Sequence, residues 1–134
     1  MRTAEQILRE STTIAVVGAS RNPGKEAHSV PQQILRHGWR VIPVNPHATE
    51  IWGQTCYPTL ADIPEPVDLV NVFRPGPETP DVARQAVAIG AKALWLQQGI
   101  TSAESRKIAE DGGLDYVEDY CIAVERALRA LSRR

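Results

Sequence analysis

Aromatic residues are scarce in this chain: one Phe, three Tyr and three Trp make up 5% of its 134 positions. Cysteine is scarcer still, and Cys56 and Cys121 stand far apart with no CxxC and no Cys/His cluster. That usage gives neither a disulfide framework nor a zinc-ligand spacing. An excess of one charge is missing as well. With 15 Lys and Arg against 16 Asp and Glu, the net charge is −1, so no basic field draws nucleic acid or a membrane surface. No apolar run nears the roughly 20 residues of a membrane helix. The opening MRTAEQILRE alternates charge with short apolar stretches, unlike a signal peptide. These absences lead to the expectation of a cytoplasmic globular protein without nucleic-acid or membrane partners.

What the chain does have is alternation. Thr3 with Gln6 three residues on forms a capping-box pattern, so a short helix is expected at the start. Thr12–Val17, Arg40–Val44, Val67–Phe73, Lys92–Leu96 and Leu114–Val117 are Val-, Ile- and Leu-rich runs with the length of strands. Between them lie helical patterns: Val30, Ile34 and Leu35 before Gly38, Val82, Ala86 and Ile89 before Gly90, and Ser102–Asp111 before Gly112-Gly113. Pro31 is expected in the first turn of its helix, where a missing N–H costs little. A last helix from about Cys121 aligns Val124, Leu128 and Leu131 toward the core. Strands alternating with helices imply parallel pairing, hence one α/β domain over residues 1–134 with a three-layer, doubly wound sheet of about five strands. The expected strand order is 3-2-1-4-5, with a crevice above strands 1 and 4.

Residues that follow the strand ends should then carry the chemistry. Gly18, Ala19, Ser20, Arg21, Asn22, Gly24 and Lys25 lie between the first strand and its helix. Small residues and a helix N-terminus suit a phosphate, with Ser20 as hydroxyl donor and Arg21 and Lys25 as cations. The sequence is neither a Walker A loop nor the dinucleotide fingerprint GxGxxG. The second strand ends in Val44-Asn45-Pro46, not in the acid that holds an NAD ribose. Val44, Asn45 and Pro46 form either an adenine slot or a plain strand-ending turn. Arg74 offers a planar fork for phosphate, or is a surface residue. Gln97, Gln98 and Gly99 are expected to face Gly18 across the crevice. Cys121, at a helix start, is either a thiol of lowered pKa or a small hydrophobe. No Ser/His/Asp or Cys/His arrangement is visible, so no complete catalytic site is expected.

The segments AVVGASRNPGKEAHSV, GWRVIPVNP, IWGQTCYPTLADIPEPVDLVNVFR, AIGAKALWLQQGI and DYCIAVE, taken in this order, carry a resemblance. The chain resembles the small CoA-binding proteins related to the CoA-binding domain of the succinyl-CoA synthetase α-subunit. The resemblance implies a Rossmann-like fold with coenzyme A as ligand. It implies phosphates near Gly18–Lys25, nucleotide near Val44–Pro46, and the pantetheine arm along Gln97–Gly99. One departure is Tyr120, where members of that family often carry an arginine that would help hold a phosphate. None of His28, His37 and His47 sits in the phosphorylated-histidine motif of the synthetase, so ligase activity is not carried over. The expectation is a stand-alone domain that binds CoA or an acyl-CoA. Two alternatives stay open: a ligase or transferase subunit completed by a partner chain's catalytic domain, and an NADP-dependent oxidoreductase.

Overall fold

The computed structural model describes all 134 residues. Five strands pair in parallel: β1 (Thr13–Val17), β2 (Arg40–Val44), β5 (Leu69–Val72), β6 (Ala93–Leu96) and β7 (Asp115–Val117). A small antiparallel hairpin, β3 (Glu50–Ile51) and β4 (Gln54–Thr55), leaves β2 and turns at Trp52-Gly53. Helices α1 (Ala4–Glu10), α2 (Glu26–Arg36) and α5 (Ile122–Leu128) cover one face of the sheet, and α3 (Thr79–Ala88) and α4 (Ala103–Asp111) cover the other. The three-layer, doubly wound class expected above is the one observed.

The inner strands β1, β5 and β6 bury both faces, as a parallel sheet between helix layers must. In β6, Ala93 and Trp95 join the core under α1, α2 and α5, whereas Leu94 and Leu96 join the core under α3 and α4. The two fully buried tryptophans keep their indole N–H groups bonded: Trp39 Nε1 donates to the Leu8 carbonyl at 3.1 Å and Trp95 Nε1 to the Tyr120 carbonyl at 2.7 Å. At the start of α1, Thr3 and Gln6 close the capping box from both sides.

The strand order departs from the expected 3-2-1-4-5. Along the sheet it runs β2-β1-β5-β6-β7, so the third long strand pairs with β1 and not with β2. A physical reason lies on the outer edge of β2. There Tyr57 makes a parallel bridge to Val44, donating its N–H to the Pro43 carbonyl and accepting from the Asn45 N–H. With that edge covered, the chain crosses to the free side of β1. The point where the winding reverses therefore lies between β1 and β5, one strand away from the position expected.

Two smaller corrections concern helices. Pro31 lies inside α2 and not in its first turn, because the helix begins at Glu26. In α5 the buried residues are Ile122, Ala123 and Glu125, while Val124 and Leu128 are exposed. The expected Val124–Leu128 stripe therefore points outward, and only Leu131 of that set is buried.

An ion pair ties the N-terminus to the far edge of the sheet. Arg2 Nε donates to Asp115 Oδ2 at 2.6 Å and the Arg2 backbone N–H donates to Oδ1 at 3.2 Å. Burial would raise the Asp115 carboxyl, but the hydrogen bonds and charge of Arg2 outweigh it and hold the group below its usual value. A depressed folded-state pKa adds stability above the unfolded value, and this is lost as pH falls through the folded one. The thermal midpoint should thus fall on acidification below about pH 4. Asp115→Asn should lower the neutral-pH midpoint and flatten that acid limb, which scanning calorimetry at stepped pH would check.

Candidate functional site

The crevice forms where the loops after β1, β2 and β5 meet. A hollow of about 470 Å³ lies there, lined among others by Gly18, Val44, Asn45, Pro46, Thr59 and Arg74. A second, more open hollow of about 410 Å³ continues past Arg74 to Lys25, Phe73, Gln97, Gln98 and Ile100. Arg74 lines both.

The β1–α2 loop is shaped by its own side chains. Ser20 Oγ accepts from the Asn22 N–H at 3.0 Å, and Asn22 Oδ1 accepts from the Gly24 N–H at 2.9 Å. The Ser20 N–H donates to the Ala27 carbonyl at 3.2 Å. That carbonyl is available because Pro31, four residues on, has no N–H to give it. Asn22 is thus a turn-former, and the Ser20 N–H is already committed. The N–H groups of Arg21, Glu26 and Ala27 have no acceptor within the protein. Those of Glu26 and Ala27 stand at the start of α2, where the helix dipole adds positive potential. Arg21 and Lys25 are exposed beside them. Ala19 is fully buried.

Gly18 has φ +88°, and a Cβ there would lie 2.6 Å from the Phe73 carbonyl oxygen and 2.8 Å from Arg74 Cδ. Its lack of a side chain lets the β1 and β5 loops touch. Asn45 bridges two loops: its Nδ2 donates to the Ala19 carbonyl at 2.8 Å, and its Oδ1 accepts from the His47 N–H at 2.7 Å. The amide therefore braces the crevice wall. Burial pushes the neighbouring Cys56 thiol up, against a backbone hydrogen bond to Asn45.

Gln97, Gln98 and Gly99 do not face Gly18. Phe73 and Arg74 occupy that place, because β5 lies between β1 and β6. The Gln97 side chain is buried, with Oε1 accepting from the Ile122 N–H at 3.2 Å and from Asn71 Nδ2 at 3.4 Å. It fastens α5 to the sheet. Gln98 is exposed at the second hollow. Gly99, with φ +86°, donates its N–H to Asp119 Oδ1 at 2.7 Å, and nothing lies within 4 Å of a Cβ built on it. Cys121 is the N-cap residue of α5, half-buried against the core beside Tyr120. Tyr120 stacks on Trp95 with ring centroids 6.0 Å apart, and its hydroxyl donates to Glu125 at 2.7 Å.

Sequence reasoning missed the α3 side of the crevice. Arg74 holds Glu78 through Nη2, at 2.8 and 3.0 Å from the two carboxylate oxygens, and Asp81 and Gln85 continue that wall. The intervening Pro75-Gly76-Pro77 is no α-helix, so the four-residue spacing of Arg74 and Glu78 gave no sequence signal for the pair.

The family model described as "CoA binding domain" matches residues 12–127. The chain belongs to that family. An uncharacterized Bacillus subtilis protein, YneT, is 36% identical over 124 residues, 92% of each chain. Acetate–CoA ligase (ADP-forming) II of Archaeoglobus fulgidus is 33% identical over 100 residues, 73% of this chain but 15% of the ligase. Among solved structures, a hypothetical protein from Pyrococcus horikoshii OT3 matches with TM-score 0.90 and 36% identity, covering 95% of this chain and 92% of that one. The dinucleotide-forming acetyl-coenzyme A synthetase 1 of Ca. Korarchaeum cryptofilum matches with TM-score 0.73 and 25% identity, covering 87% of this chain and 28% of that one. This CoA-binding-domain chain thus shares its fold both with a relative of its own length and with parts of much longer ligases. No helix is long and apolar enough to cross a membrane.

Proposed function

We propose that this chain binds coenzyme A or an acyl-CoA in the crevice between the β1 and β5 loops. One observation carries the reading within the family assignment: Glu26 and Ala27, whose N–H groups are free, line one part of a two-part hollow that Arg74 spans. In this reading the diphosphate lies against the α2 start, with Arg21, Lys25 and Arg74 supplying charge. The adenosine takes the hollow walled by Val44 and Pro46, and the pantetheine arm takes the one walled by Phe73, Gln98 and Ile100. Gly18, Asn22, Asn45 and Gln97 support this site without touching the ligand through their side chains.

Calorimetric titration with CoA, acetyl-CoA, NAD, NADP and ATP, run in parallel, tests the proposal. Saturable binding of the CoA compounds, on the order of −8 kcal/mol for a micromolar Kd, is the expected result. Preference for NADP would favour the oxidoreductase alternative, and no binding at all would end the CoA reading. A second reading is favoured by the ligases in which the matching segment is 15% or 28% of the chain. On that reading a partner chain supplies the catalytic domain, and a stable stoichiometric complex on native purification would be its signature.

A further inference from the structure

The β3–β4 hairpin lies outside the sheet and outside the crevice, yet it is bonded through His28 of α2 to the loop proposed to hold the phosphates. Its turn residue Trp52 adopts φ +55°, an uncommon backbone conformation for a bulky side chain. There the indole Nε1 donates to the His28 carbonyl at 3.1 Å, and the two rings lie with centroids 5.7 Å apart. His28 in turn places Nδ1 at 2.7 Å from the Ser20 carbonyl oxygen. A carbonyl only accepts, so Nδ1 carries the proton. The neighbouring Ser20 N–H returns to the Ala27 carbonyl that Pro31 leaves free. Both backbone groups of Ser20 are therefore gripped by the first turn of α2, and that turn is gripped by Trp52. Residues 21–26 themselves are exposed.

We propose that His28 is a positioning residue for anion binding, and that the β3–β4 hairpin is the strut holding it in place. This rests on the CoA reading for its ligand, though not for its geometry. A flexible loop must be ordered when the ligand binds, at a cost in affinity; a loop already fixed avoids it. Ser20 sits at the root of that loop, so releasing its carbonyl frees the N–H of Arg21, which shares the same peptide unit, to swing away from the ligand.

The test uses the full chain with His28→Ala, His28→Asn and Trp52→Phe. Asparagine places its Nδ2 near the position of the histidine Nδ1 and so keeps the donor to Ser20. His28→Ala is expected to weaken CoA between about threefold and tenfold, the range of one lost hydrogen bond. His28→Asn should recover most of that loss, and Trp52→Phe, which keeps a ring but loses the indole donor, should fall between. Amide exchange in the unliganded protein should speed up at Ser20, whose N–H is bonded to the Ala27 carbonyl, in His28→Ala while the β1 and β5 amides hold. A purely structural role would lower the thermal midpoint of all variants together and leave no rescue by asparagine. Unchanged exchange at Ser20 in folded His28→Ala overturns the strut whatever the ligand. A failure of the unsubstituted protein to bind CoA would instead overturn the functional reading, and with it the ligand half of this proposal.

Discussion

Gly18→Val is expected to destabilise the protein by about 3 kcal/mol or more, independently of any ligand. A β-branched residue would have to adopt φ +88° while its Cβ met the Phe73 carbonyl at 2.6 Å. The atom in the way is backbone, so relief requires the β1 and β5 loops to part at the floor of the crevice. In thermal unfolding, a loss of this size lowers the midpoint by about 10 °C. Gly24→Ala supplies the contrast. Gly24 has no positive φ, and its Cβ would approach only the Asn22 Oδ1, at 3.3 Å. Its midpoint should stay within a few degrees of the parent. Equal losses for both substitutions would mean that the close approach of Gly18 to Phe73 does not govern the site.

Arg74→Ala is expected to weaken CoA binding about 10-fold to 100-fold with little change in stability. The guanidinium is the one cation lining both hollows, and a hydrogen bond to a charged group contributes about 1.5–3 kcal/mol. Its present partner Glu78 is about half exposed, so the pair adds at most about 1 kcal/mol to folding. The same geometry makes Glu78 a competitor for the arginine that an incoming phosphate must displace. Glu78→Gln should therefore tighten binding several-fold, and the advantage should shrink as salt screens the exposed charges. Calorimetry at low and high salt checks both substitutions. Unchanged affinity in Arg74→Ala would move the anion site away from the β5 loop.

The elements were legible in the sequence because they are local. Apolar runs such as that around Ile14 and Val16 and stop signals such as Gly38 and Gly90 reside in a few adjacent residues. Strand order was not legible, because it depends on Tyr57 reaching back to Val44 from a stretch with only weak extended character. The misplaced winding point then misplaced Gln97, whose amide serves the Ile122 N–H instead of a ligand. Asn45 and Asn22 show a related limit. A polar side chain in a loop looks the same in sequence whether it waits for a ligand or already holds the loop together. On α5, periodicity alone chose the Val124 and Leu128 face, whereas contact with α1 and α2 selects the side bearing Ile122 and Ala123.

The Tyr57 bridge has a further consequence at the rim of the sheet. An open parallel sheet ends in two strands whose outward backbone groups invite pairing with another molecule. On one rim Tyr57 already occupies the Pro43 carbonyl and the Asn45 N–H, so an intruding strand would first have to displace part of its own host. On the other, β7 is three residues long and Arg2 is bonded to its first residue, Asp115, leaving only a short ladder to extend. Concentrated solutions of this chain are thus guarded against edge-to-edge aggregation at both margins, by a tyrosine segment on one side and by brevity and an ion pair on the other.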